Sequence, residues 1–155
     1  MYKFRIIKSL LMNAPVSLTM SFVAQLMNII LGHAPGFDVK NMALSFLFSY
    51  CVAFLISFFI PVDKWGFAFA GKMNARKGTW RFDVLVNLVV NTVFCIIMTA
   101  VMHCFAACWL GGLPLSTLPR GFMEMIGPVW MACFFVSLFT QRPAIVAAKK
   151  LCGIS

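Results

Sequence analysis

Four apolar runs leave this chain little choice of solvent. They are Leu10–Leu31, Met42–Val62, Val84–Leu110 and Phe122–Thr140, and the only formal charge inside them is Glu124. At about 1.5 Å per helical residue, each reaches across a hydrocarbon layer of about 30 Å. In that layer only helices and closed barrels satisfy the backbone. Barrel strands alternate apolar and polar residues over roughly 10 positions, whereas these runs are unbroken, so helices are expected. Composition agrees: 62% of residues are hydrophobic and 11% charged, where a soluble domain carries about 25% charged residues. The expected fold class is an all-α membrane protein with four transmembrane helices.

The charge that remains reports topology. Of 13 Lys and Arg residues, the N-terminal tail holds Lys3, Arg5 and Lys8. The central segment holds Lys64, Lys72, Arg76, Lys77 and Arg81, and the C-terminal tail Arg142, Lys149 and Lys150. The two short hairpin loops keep only Lys40 and Arg120. Positive charge stays on the cytoplasmic side, which places both termini and the connector there. The net charge of +9 therefore implies a lipid bilayer as partner and no nucleic acid, since the basic residues flank apolar runs and do not line a folded face. A basic start before an apolar run could be a signal peptide, but the first run exceeds a signal core of about 7–15 residues. Pro35 also follows the small-residue site Gly32-His33-Ala34 at once, so an uncleaved first span is expected.

Asp63–Asp83, DKWGFAFAGKMNARKGTWRFD, is the long polar interruption. Trp65, Phe67 and Phe69 alternate with small residues at its start, a pattern that suits rings lying at headgroup depth. Trp109 is expected as an anchor at the opposite interface. The loops around Pro35, Gly36 and Asp38, and around Gly111, Gly112, Pro114 and Pro119, carry turn residues. The chain thus divides into a two-helix unit over residues 1–72, a basic linker over 73–86 and a second two-helix unit over 87–155.

The two units look alike. A shift of 78 positions brings Asn13 onto Asn91, Met20 onto Met98, Ser21 onto Thr99 and Gln25 onto His103. A shift of 80 brings Tyr50 onto Trp130, Phe54 onto Phe134, Ser57 onto Ser137 and Phe59 onto Phe139. Both units begin and end on one side, so two parallel-repeat hairpins are expected, related by an axis along the membrane normal. The run LTMSFVAQLMNIILGHAPGF, with its basic start and an aromatic second span ending at Pro61, resembles a bacterial unit known as domain of unknown function 2798. The resemblance covers Phe4–Lys72 and, more weakly, Asn87–Lys150, where Gln141 stands in place of Pro61. It implies a bacterial inner-membrane location and a tandem duplication of a two-helix unit. That family has no assigned activity, so no site follows.

One polar stripe stands out. Asn13, Ser17, Ser21, Gln25 and Asn28 are spaced by four, four, four and three, which confines them to an arc of roughly 120°. The third span repeats it with Asn91, Cys95, Thr99 and His103, ending at Ala106. Unpartnered polar groups are costly in hydrocarbon, so both arcs should face protein or a wet cavity. As a structural device they are interhelical glue, each bond worth about 0.6 kcal/mol. As a functional device they are a polar path centred on Gln25 and His103, with His103 and Glu124 as a proton-responsive pair. Ser45, Ser49, Ala53 and Ser57 form a small-residue stripe that suits close packing of helices or of chain copies.

The chemistry of catalysis is missing. No nucleophile–base pair, phosphate loop or carboxylate dyad is visible among four acidic residues, so no enzyme is expected. The six cysteines contain no C-x-x-C pair and read as small apolar residues. Cys95, Met98, Met102, His103, Cys104 and Cys108 crowd one span with soft donors. Cys104 and Cys108 share a face from which His103 points away, and neither a metal nor a cofactor is expected. Two functions remain: a structural, accessory or regulatory membrane protein that could act as a homo-oligomer, and a small oligomeric transporter or channel lined by the stripes.

Overall fold

A computed structural model describes residues 2–105, 116 and 118–153. The expected positions of Ala106, Cys108 and Trp109 and most of the second loop lie outside the described residues; Pro119, expected in that loop, instead lies in the first turn of a helix, where a missing N–H costs nothing. Among those described, five helices and no strand are found: α1 (Tyr2–Ile30), α2 (Val39–Phe59), α3 (Val62–Lys72), α4 (Trp80–Phe105) and α5 (Leu118–Leu151). Four of them, α1, α2, α4 and α5, are long and apolar enough to cross a membrane.

Helices α1 and α2 form an antiparallel hairpin, and so do α4 and α5. Helix α1 then packs along α5, while α2 meets α4 over a shorter stretch. The ring order is α1, α2, α4, α5, and each helix runs antiparallel to its neighbours. Phe48 of α2 stacks on Phe105 of α4, with ring centroids 4.0 Å apart. Small and polar side chains are the most deeply buried, with Ser17, Ser49, Cys133 and Ala148 all within 1% of full burial, and Met20, Met98 and Val129 pack among them. Leu18, Phe22, Leu47, Leu55, Phe135 and Phe139 point outward. Bulky apolar residues outside and small ones inside suit a hydrocarbon solvent, where close backbone approach takes over from the hydrophobic effect.

The helix ends follow local chemistry. Asp38 caps α2, its Oδ1 accepting from the backbone N–H of Lys40 at 2.9 Å and of Asn41 at 3.3 Å. Gly32, at φ 74°, turns the chain after α1. Thr79 opens α4, accepting from the Phe82 N–H and donating to the Arg76 carbonyl, so the helix begins four residues before the apolar run. Pro15, Pro128 and Pro143 lie inside helices, which membrane helices tolerate when neighbours resatisfy the freed carbonyls. At about 1.5 Å per residue α5 is roughly 50 Å long, so its basic end projects past a bilayer core.

The basic connector is more ordered than its polarity suggests. Its first half is α3, with Val62, Gly66 and Ala70 buried at a spacing of four. They rest on α4 beside Phe82 and Val86, while Trp65, Phe67 and Phe69 stay exposed. Gly66 sets the approach: a Cβ there would meet Val86 Cγ1 and the Val86 carbonyl oxygen at 3.0 Å and Val90 Cγ2 at 3.2 Å. Gly71 on the same helix has no atom that close. Gly66→Leu should therefore lift α3 from α4 and speed tryptic cleavage at Lys64 and Lys72, whereas Gly71→Ala should leave the cleavage rate unchanged.

Candidate functional site

The polar stripe divides into a bonded half and an open half. The bonded half lies toward the connector. Asn13 Nδ2 donates to Ser57 Oγ at 3.1 Å and to Ser9 Oγ at 3.2 Å. In the other hairpin Asn91 Nδ2 donates to the Trp130 carbonyl at 3.2 Å. Asn87 Nδ2 donates to the Phe134 carbonyl at 3.1 Å, and Asn87 Oδ1 accepts from Ser137 Oγ at 2.9 Å. Asn87 stands one helical step before Asn91 and belongs to the stripe. Its spacing announced it, although the sequence reading began the stripe at Asn91. Cys95 donates weakly to Asn91 Oδ1 at 3.7 Å.

An aromatic side chain closes each hairpin at positions related by the shift of 80. The Tyr50 hydroxyl donates to the Leu10 carbonyl at 3.3 Å. Trp130 Nε1 donates to Thr92 Oγ1 at 3.1 Å, and that hydroxyl donates to the Leu88 carbonyl at 2.7 Å. Leu10 and Leu88 differ by 78 positions. The indole is too short to copy the phenol's reach, and Thr92 relays the bond.

Midway along the bundle the bonds thin out. Ser21 and Ser49 face each other at 3.4 Å between hydroxyl oxygens, and Ser17 Oγ is buried without a partner. Toward the hairpin loops, Gln25 Nε2 donates to the Asp38 carbonyl at 2.6 Å. That bond ties the stripe to the first loop. Its Oε1 is buried and unpartnered, and so is Thr99 Oγ1. Asn28 is half-buried on the same helix, and its backbone carbonyl takes the His33 and Ala34 N–H groups that close α1.

These open groups surround a cavity of about 110 Å³. Ser21, Gln25, Asn41, Ser45, Thr99 and His103 line its polar side, and there is room for a few waters or one small solute. Gln25 and His103, paired by position in the sequence, thus meet at one cavity. The His103 ring lies directly against Gly121, where a Cβ would overlap Nε2. Glu124 is within electrostatic reach of His103, but its carboxylate accepts from Arg120 Nε at 3.0 Å.

A second cavity of about 330 Å³ opens at the connector end, beside Asn13, Ser57 and Lys64. Lys8 crosses its mouth to Asp63 at 3.0 Å. Arg142 meets Asp83 at 2.6 Å in the other hairpin. Packed residues, including Ala53, Ile56, Cys95 and Met98, lie between the two cavities. Among the described residues no group of three or more His, Cys, Asp or Glu side chains could hold a metal ion. Of the soft donors that crowd the third span, Met102 and His103 reach the loop-end cavity. Cys95 is buried and Cys104 exposed.

Comparison with family models, curated proteins and solved structures finds no match. The site therefore has to be read from its own chemistry.

The bonded half makes a quantitative prediction. Asn87→Leu removes two interhelical hydrogen bonds and leaves the Ser137 hydroxyl and the Phe134 carbonyl only their bonds within α5. At about 0.6 kcal/mol per bond and rarely above 1.7, reversible unfolding in bicelles should show a loss of roughly 1–2 kcal/mol. Asn28→Leu, at a position with no side-chain bond to a neighbouring helix, should lose less than half of that.

Proposed function

We propose that this chain is a multi-pass inner-membrane protein of the accessory or regulatory kind. Its termini and basic connector lie in the cytoplasm, and its loop-end cavity opens toward the opposite face. The observation that carries this reading is the use made of the stripe: Asn13, Asn87 and Asn91 spend their amides on neighbouring helices. Asn87 and Asn91 are bonded through both nitrogen and oxygen, and groups so engaged stabilise a bundle and have little left to offer a solute. The distribution of Lys and Arg supports the orientation.

We further read the chain as a tandem duplication of a two-helix unit of the domain of unknown function 2798 type. Supporting this are the matched closures by Tyr50 and Trp130, and Ser57 and Ser137, which are related by the shift of 80 and each bond an asparagine of the facing span, although Asn87 lies one turn before Asn91, the counterpart of Asn13. The contact between hairpins is lopsided, with α1 on α5 far longer than α2 on α4. On this reading the halves have diverged most where they meet.

A second reading, a small oligomeric transporter or channel, is favoured by the cavities at both ends of one bundle and by the unpartnered hydroxyls of Thr99 in one of them and of Ser17 outside both. Thiol accessibility separates the two. A water-soluble maleimide, read by peptide mass spectrometry in sealed vesicles, should label Thr99→Cys from the loop side. It should leave Cys95 and Ser17→Cys unmodified. Labelling of Cys95 and Ser17→Cys from either side would replace the accessory reading with a continuous wet path.

A further inference from the structure

The apolar side of the loop-end cavity has an unusual composition. Methionine accounts for 11 of 155 residues, yet Met20, Met42, Met102 and Met125 are four of the twelve residues that line this cavity. One comes from each of the four long helices, and His103 joins them. Among the described residues no cysteine or carboxylate is in the lining. The donor set is therefore neutral: four thioethers and one imidazole, with the unpartnered Gln25 carbonyl oxygen and Thr99 hydroxyl beside them. Thr99 is only 3% exposed, so its hydroxyl is a buried polar group without a bonding partner among the described residues.

Ligand chemistry narrows what such a set can take. Thioethers are soft donors that select Cu(I) and its congeners, while Mg²⁺, Ca²⁺ and Mn²⁺ want oxygen. Charge narrows it further. A divalent ion among neutral donors in a poorly hydrated cavity would keep its full charge uncompensated, whereas a monovalent ion carries half that burden. Thioethers also need no deprotonation before they bind, unlike thiols. Two carboxylates stand close by and both are engaged: Asp38 accepts from the backbone N–H groups of Lys40 and Asn41, and Glu124, within electrostatic reach of His103, is paired with Arg120. Methionine's three rotatable bonds let it re-aim without moving a helix.

We propose that the loop-end cavity is a binding site for a soft monovalent metal ion of the Cu(I)/Ag(I) class, held by Met20, Met42, Met102, Met125 and His103. The proposal rests on the cavity being a ligand site and is independent of whether any solute passes through the bundle. The competing use of these methionines is as adaptable core filler, and the two uses differ in what silver does to them.

The test uses Ag(I), which is redox-inert, added to the full chain in nanodiscs with ¹³C-methyl-labelled methionine. The expected result is that the methyl signals of Met20, Met42, Met102 and Met125 move together and saturate at one silver per chain. The double variant Met42→Leu/Met102→Leu conserves volume and should fold. Its affinity should fall at least as far as when an outer-shell partner is lost, roughly 10–100-fold. His103→Ala should weaken binding in the same range. Silver that binds without moving those four methyls, as at the exposed thiols of Cys51 or Cys104, overturns the proposal. So does a double variant that binds silver as tightly as the parent. A maleimide-accessible Thr99→Cys together with unmoved methyls would mean a wet cavity with no metal, so failure here is distinct from failure of the accessory reading.

Discussion

A side-chain amide inside a hydrocarbon-embedded bundle cannot turn to water, and the rest of this structure follows from that. An unpaired buried amide costs roughly 1–3 kcal/mol, so the buried asparagines Asn13, Asn87 and Asn91 must find partners on a facing helix. Asn87 and Asn91 find the Phe134 and Trp130 carbonyls, one helical turn apart on α5. Those bonds fix the register of the second hairpin. Asn13 does the same for the first through Ser57. The small interior residues matter for the same reason. A short amide reaches a backbone carbonyl across a helix interface only where the interface is thin, and Ser49, Ala53 and Cys133 keep it thin.

The open half obeys the same rule with a different outcome. Near the loops Thr99 and Gln25 face methionine side chains across a cavity, and methionine offers no donor and only a weak acceptor. The polar atoms left over there are Gln25 Oε1 and Thr99 Oγ1, and the space beside them has room for something other than protein. One bundle thus has an internally bonded end and an end where two buried polar atoms face a cavity. The connector end adds stiffness from outside: α3 is laid on α4 through Gly66, and ion pairs Lys8–Asp63 and Arg142–Asp83 clasp the hairpins.

Much of this was legible in the residues. The four spans could be read because unbroken apolar runs have no other use in a chain this poor in charge. The inward stripe could be read because a spacing of three and four is a helical face. Other features left no such mark. Helix α3 hides in a segment whose buried face is Val62, Gly66 and Ala70, two of them too small to register as apolar periodicity. The partners of Asn87 and Asn91 are backbone carbonyls, which no sequence pattern distinguishes. The four methionines of the cavity come one from each helix, so their spacing along the chain carries no signal and only the packing brings them together. Of the soft donors that do cluster in sequence, Cys95 and Met98 are buried in the core between the cavities and Cys104 is exposed.

The most direct test asks what surrounds the amides. In bilayers, lipid-edited magic-angle-spinning NMR transfers magnetisation from acyl-chain methylene protons to the protein groups that touch them. If the stripe faces inward, the side-chain amides of Asn13, Asn87 and Asn91 should receive none on the timescale at which Leu47 and Phe135 receive it fully. Rapid transfer from acyl chains to the Asn87 and Asn91 amides would contradict the inward-facing stripe, and the bonded bundle with it.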